Sequence, residues 1–79
     1  MEKFKLTAVI WEEEVAFVSK CPELGVASCG ATPREALSNL KEAVELYIDN
    51  AKAIGLLKEI KATLKTKEKY TSTFEVAFR

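Results

Sequence analysis

Apolar and polar positions alternate from the start of the chain. Phe4, Leu6, Ala8 and Ile10 fall on one side and Lys3, Lys5 and Thr7 on the other. This is the two-residue period of a strand with one buried face, and it predicts a first strand over residues 3–11. Glu12, Glu13 and Glu14 interrupt the pattern, and Val15 to Lys20 resume it with β-branched and aromatic residues. The two runs read as an antiparallel hairpin with an acidic tip. The segment CPELG then reverses the chain through Pro22 and Gly25, and Val26 to Cys29 make a short third strand ending at Gly30.

From Thr32 the period changes. Thr32 is placed as an N-cap, Pro33 as the first helical residue, and Glu35 three residues after the cap as a capping box. Ala36, Leu37, Leu40, Ala43, Val44, Tyr47, Ile48, Ala51 and Ile54 then recur at steps of three and four, until Gly55 supplies a left-handed stop. Glu35, Asn39, Glu42, Asp49 and Asn50 take the opposite side, and Leu46 falls among them, where a lone protomer gains nothing from a leucine. Beyond Gly55, Leu56, Leu57, Ile60 and Leu64 keep a loosely helical spacing, so a short helical turn or a packed loop is expected. Thr71 to Phe78 alternates again, with Phe74, Val76 and Phe78 on one side, and reads as a closing fourth strand.

The predicted class is therefore α+β, in the order β-β-β-α-β: an antiparallel sheet with one long helix packed on one face. The 79 residues are expected to be a single domain, 1–79. The other sheet face should be polar if the protein works alone, yet Val9 and Trp11 lie opposite Phe4 and Ile10, and the second strand is apolar on both sides through Val15, Ala16, Phe17 and Val18. Two readings are open. Either the register shifts and these residues are core, or another chain covers the back of the sheet or an exposed edge. On the second reading Val9, Trp11 and Val18 are the candidate self-association residues.

A chain this short buries only about 60% of its unfolded surface, which makes association a natural source of added stability. Twelve basic and twelve acidic side chains leave no net charge to steer the protein toward nucleic acid or an anionic membrane. No apolar run approaches the roughly 20 residues of a membrane span, and MEKFKL lacks a signal-peptide core, so a cytoplasmic protein is expected. Cys21 and Cys29 are eight apart and there is no histidine, which fits neither a CxxC redox pair nor a zinc set. Both are read as reduced packing residues. Without histidine the inventory for acid–base or nucleophilic catalysis is thin, and the carboxylates lie at a hairpin tip and on an outward helix side. No enzyme activity, cofactor or metal is expected.

The run CPELGVASCGATPREALSNLKEAVELYI closely resembles the signature of the HicB-like antitoxin family. That signature is a Cys-Pro-acidic-Leu-Gly turn, a small-residue strand, a Gly-x-Thr and an Glu-Ala-x-x-Asn-Leu-x-Glu-Ala helix. The matches are Cys21, Pro22, Glu23, Leu24, Gly25, Ser28, Gly30, Thr32, Glu35, Ala36, Asn39, Leu40, Glu42, Ala43, Glu45, Leu46 and Tyr47. The resemblance implies a partial ribonuclease-H-like fold and a partnership with a small HicA-type toxin, an mRNA-cleaving ribonuclease that the antitoxin blocks by binding. It also implies self-association, as a dimer or tetramer. Many members continue into a C-terminal operator-binding domain, to which these 79 residues do not extend, so direct DNA binding is not expected.

A toxin that grips RNA should be basic, and an acidic surface on its inhibitor would speed encounter. The candidate partner-binding residues are therefore Glu12, Glu13 and Glu14 at the hairpin tip, or Glu42, Glu45 and Asp49 around Leu46. The alternative is a stand-alone oligomeric interaction or regulatory domain with no cognate toxin.

Overall fold

A computed structural model describes residues 3–78. Three antiparallel strands, β1 (Val9–Glu12), β2 (Phe17–Cys21) and β3 (Val26–Gly30), form a sheet in sequence order. Two helices follow, α1 (Pro33–Ala53) and α2 (Leu57–Leu64). The α+β class and the β-β-β-α order are as the sequence pattern predicts.

Helix α1 starts where its local signals put it. Thr32 is extended and its Oγ1 accepts from the Glu35 amide at 3.1 Å, while Glu35 Oε1 takes the Ala31 amide at 3.1 Å. Such a cap contributes about 1 kcal/mol. Gly55 ends the helix with φ +80°, and the Leu56 amide reaches back to the Ala51 carbonyl at 2.7 Å.

The helix rests on β2 and β3 through small residues. Ile10, Ser19 and Ser28 are cross-strand neighbours on the covered face, as are Glu12, Phe17 and Gly30. Ser19 is wholly buried and its Oγ donates to the Ala36 carbonyl at 2.8 Å, so the one buried hydroxyl in the sheet is satisfied by the helix backbone. At Gly30 a side chain has no space, because a Cβ there would lie 2.5 Å from the Ala36 amide nitrogen.

Twenty-one residues of helix span about 32 Å, whereas five residues of strand span about 17 Å. The C-terminal half of α1 thus outruns the sheet. Segments 3–8 and 56–69 gather at this end of the molecule, with Phe4 and Leu6 half-buried and Leu64 2% exposed.

Three expectations are corrected. The first strand begins at Val9 and not at Lys3, because Val9 pairs with Lys20 and β2 ends one residue later at the Pro22 turn, leaving residues 3–8 no strand to pair with. Val15 belongs to the hairpin turn, closed by the Glu13 amide on the Ala16 carbonyl at 2.8 Å, and not to β2. The closing strand over Thr71 to Phe78 is not formed in the protomer: residues 70–78 pair with no strand and are exposed throughout, Phe74 and Phe78 by 85% and 94%. Its alternation is real, but no edge lies beside it. The radius of gyration, 14.6 Å, exceeds the ~11.6 Å of a compact chain of this length accordingly.

Among the described residues no helix is long and apolar enough to cross a membrane.

Candidate functional site

The hairpin places Val9, Trp11 and Val18 together. Trp11 faces Val18 across the β1–β2 ladder and Val18 faces Cys29 across the next, with Val9 two residues along the same side. This is the sheet face opposite the helix. Trp11 remains 40% exposed and Val9 38%, and Cys29 is exposed beside them, so it is not the packing residue expected from the sequence, whereas Cys21 is. The register-shift reading is thereby excluded. Val9 and Trp11 are surface residues with Val18 half-buried beside them, so the back of the sheet carries an apolar patch, bordered by the exposed Lys20 opposite Val9.

The acidic residues divide into two patches. Glu12 ends β1, and Glu13 and Glu14 project in the turn with Val15. Gly30, across the sheet from this end, abuts the first turn of α1, so the tip lies near the helix N-terminus. Glu42, Glu45, Leu46 and Asp49 lie roughly 10–20 Å further along the helix axis. All four are exposed, and Leu46 is 61% exposed at the centre of a stripe with steps of three and four. The stripe looks away from the sheet, so the helix patch and the Val9–Trp11–Val18 patch occupy opposite sides of a two-layer molecule and can be engaged at once.

The helix face itself differs from its expected composition. Ala36, Leu40 and Ala51 are buried, but Leu37, Tyr47 and Ile54 are exposed because the narrow sheet does not reach under them. Asn39, expected on the solvent side, is half-buried and its Nδ2 donates to the Cys29 carbonyl at 2.8 Å.

A polar clasp was not singled out in the sequence beyond its place in the turn. Glu23 accepts from the Thr7 amide at 3.0 Å and from Thr7 Oγ1 at 2.8 Å, and it pairs with Lys69 Nζ at 2.8 Å. Lys69 also donates to the Lys5 carbonyl, and Cys21 Sγ approaches Glu23 Oε1 at 3.5 Å. Burial alone would raise the Glu23 pKa, but the Lys69 and Thr7 hydrogen bonds outweigh it and hold the carboxyl at about 2. Burial, with the neighbouring carboxylate, pushes the Cys21 thiol up, so it stays protonated and unreactive. The clasp joins both ends of the chain to the CPELG turn. Among the described residues no three His, Cys, Asp or Glu side chains gather in a metal-binding group.

The fold and its surfaces define a small α+β protein with an open three-stranded sheet and one long helix. The chain is 36% identical over 74 residues to a UPF0150 protein of Helicobacter pylori strain J99, across 92% of this chain and 96% of that protein. It therefore belongs to the UPF0150 family. No family model matches the chain, and no solved structure matches it.

Proposed function

We propose that this protein is a non-catalytic, antitoxin-like binding module that neutralises a small HicA-type mRNA-cleaving toxin in the cytoplasm by occluding its RNA-binding or active surface. The HicB-like signature supports the reading, and so does its role in the fold. Gly30, Thr32, Glu35, Ala36 and Asn39 seat the helix on the sheet, and Glu23 ties the turn to both chain ends. Signature residues of this kind specify a scaffold and leave the outer surfaces to specify the partner.

The observation that carries the proposal is the stripe of Glu42, Glu45 and Asp49 around the exposed Leu46. It offers an apolar anchor ringed by carboxylates on a rigid element, the arrangement suited to a basic RNA-binding surface. The hairpin-tip glutamates add to the acidic field but sit on a turn, where ordering costs more. The Val9–Trp11–Val18 face favours the second reading, an oligomeric interaction domain without a toxin.

Titration calorimetry against a catalytically inactive HicA-type protein separates the two. Binding with a negative heat-capacity change is expected for the first reading. Leu46→Arg should weaken it by about tenfold or more, equivalent to about 1.4 kcal/mol, with thermal stability almost unchanged. Absence of heat would leave the second reading, and a large loss of stability would show that Leu46 belongs to the core.

A further inference from the structure

We propose that residues 71–78 form the missing fourth strand in a second copy of this chain, pairing with the outer edge of that copy's β1, in a reciprocal exchange. This inference stands apart from the toxin-binding reading and uses a different surface.

The segment has the pattern of a strand and the environment of none. Phe74, Val76 and Phe78 alternate with Thr73, Glu75 and Ala77, and all six are exposed. An extended, aromatic segment with unpaired backbone groups is a template for β-addition. The protomer's total accessible surface is 6774 Å². A compact monomer of 8.8 kDa is expected to expose only about 4,800 Å². The surplus of about 2,000 Å² per protomer, roughly 4,000 Å² for two, lies within what obligate homodimers bury.

The two sheet edges differ in how open they are. At β3 the helix lies close and Asn39 already takes the Cys29 carbonyl at 2.8 Å, which blunts that edge. Strand β1 pairs on one side only, and its Val9 and Trp11 are part exposed on the back face. A strand laid along β1 sets Phe and Val side chains beside Trp11 and Val9, the cross-strand contacts that stabilise sheets. It also widens the apolar back face without touching the acidic helix stripe.

A second copy is favoured over the tail's own β1 because the tail stays unpaired in the protomer although it starts near that strand. Lys69 is held by Glu23 and by the Lys5 carbonyl, close to the segment that leads into β1, yet residues 71–78 are exposed throughout and none of them pairs with β1 of the same protomer. The same element is thus presented outward by every protomer, and a two-fold exchange uses both tails and both edges.

The full chain is examined by light scattering after size exclusion and by emission of Trp11, its single tryptophan, across a dilution series. A dimer with blue-shifted emission that dissociates and red-shifts together is expected. Val76→Pro, which removes a ladder donor, should raise the dimer dissociation constant by about tenfold or more. Phe74→Ser, which keeps the backbone donors, should raise it less, and both should keep the protomer's far-ultraviolet circular dichroism. A monomer with shielded Trp11 would overturn the proposal in favour of pairing within one chain. A monomer with fully wet Trp11, or a dimer indifferent to both substitutions, would also overturn it.

Discussion

Replacing Gly30 by alanine should lower stability by about 2–3 kcal/mol, which for a domain of this size is a fall in Tm of roughly 10–20 °C. The added methyl would meet the Ala36 nitrogen at 2.5 Å and the Glu35 carbonyl carbon at 2.8 Å. Both are backbone atoms of the first helical turn, so no side chain can rotate away. The helix must lift, and lifting it stretches the Ser19 to Ala36 hydrogen bond inside the core. Reduced freedom of the unfolded chain returns only about 0.4–1 kcal/mol. Gly25→Ala is the control: φ is +69° there with open space around it, so its cost of about 1 kcal/mol comes from the backbone alone. Urea denaturation of the two variants measures both. Equal losses would show that the helix is not held against β3 as closely as the structure places it.

Lys69→Met should have the second large effect, about 2 kcal/mol at neutral pH. Removing one partner of a mostly buried pair leaves the other charge in place, and solvent at the margin of this pair reduces the cost below that of a fully enclosed one. The pH dependence gives an independent signature. Glu23 titrates at about 2 in the folded protein against an ordinary value of 4.5. Because the folded value is the lower, the carboxylate's contribution is complete above pH 4.5 and is lost as pH falls from there toward 2. In Lys69→Met the Glu23 value rises toward the ordinary one, and this acid-dependent loss shrinks. Parallel stability-versus-pH curves for the two proteins would show that Lys69 is not the group holding Glu23 ionised.

Local signals made the long helix legible in the sequence. Thr32, Pro33 and Gly55 act within a few residues of themselves, so the boundaries fall as predicted. Asn39 was misplaced because polarity outweighed position: it is three residues from Ala36 and four from Ala43, on the inward stripe, where a carbonyl of β3 receives it. Strand ends were less legible, since alternation describes one chain while a ladder needs two. Phe4 and Leu6 alternate correctly beyond the point where β2 has already turned, and Phe74 to Phe78 alternate with nothing beside them in the protomer. The Trp11 and Val18 cluster was legible once alternation was read on both sides of the hairpin. Glu23 was legible only as a turn residue, because Thr7 and Lys69 lie 16 and 46 residues away along the chain.

Those separations have a kinetic meaning. Lys69 and Lys5 are 64 residues apart, so joining them closes nearly the whole chain into a loop, and that entropy is best met once the sheet and α1 already hold the ends near each other. The clasp then forms after the folding transition state, and weakening it accelerates unfolding while leaving the folding rate almost unchanged. Glu23 and Lys69 thus govern how long a folded molecule lasts more than how quickly one forms.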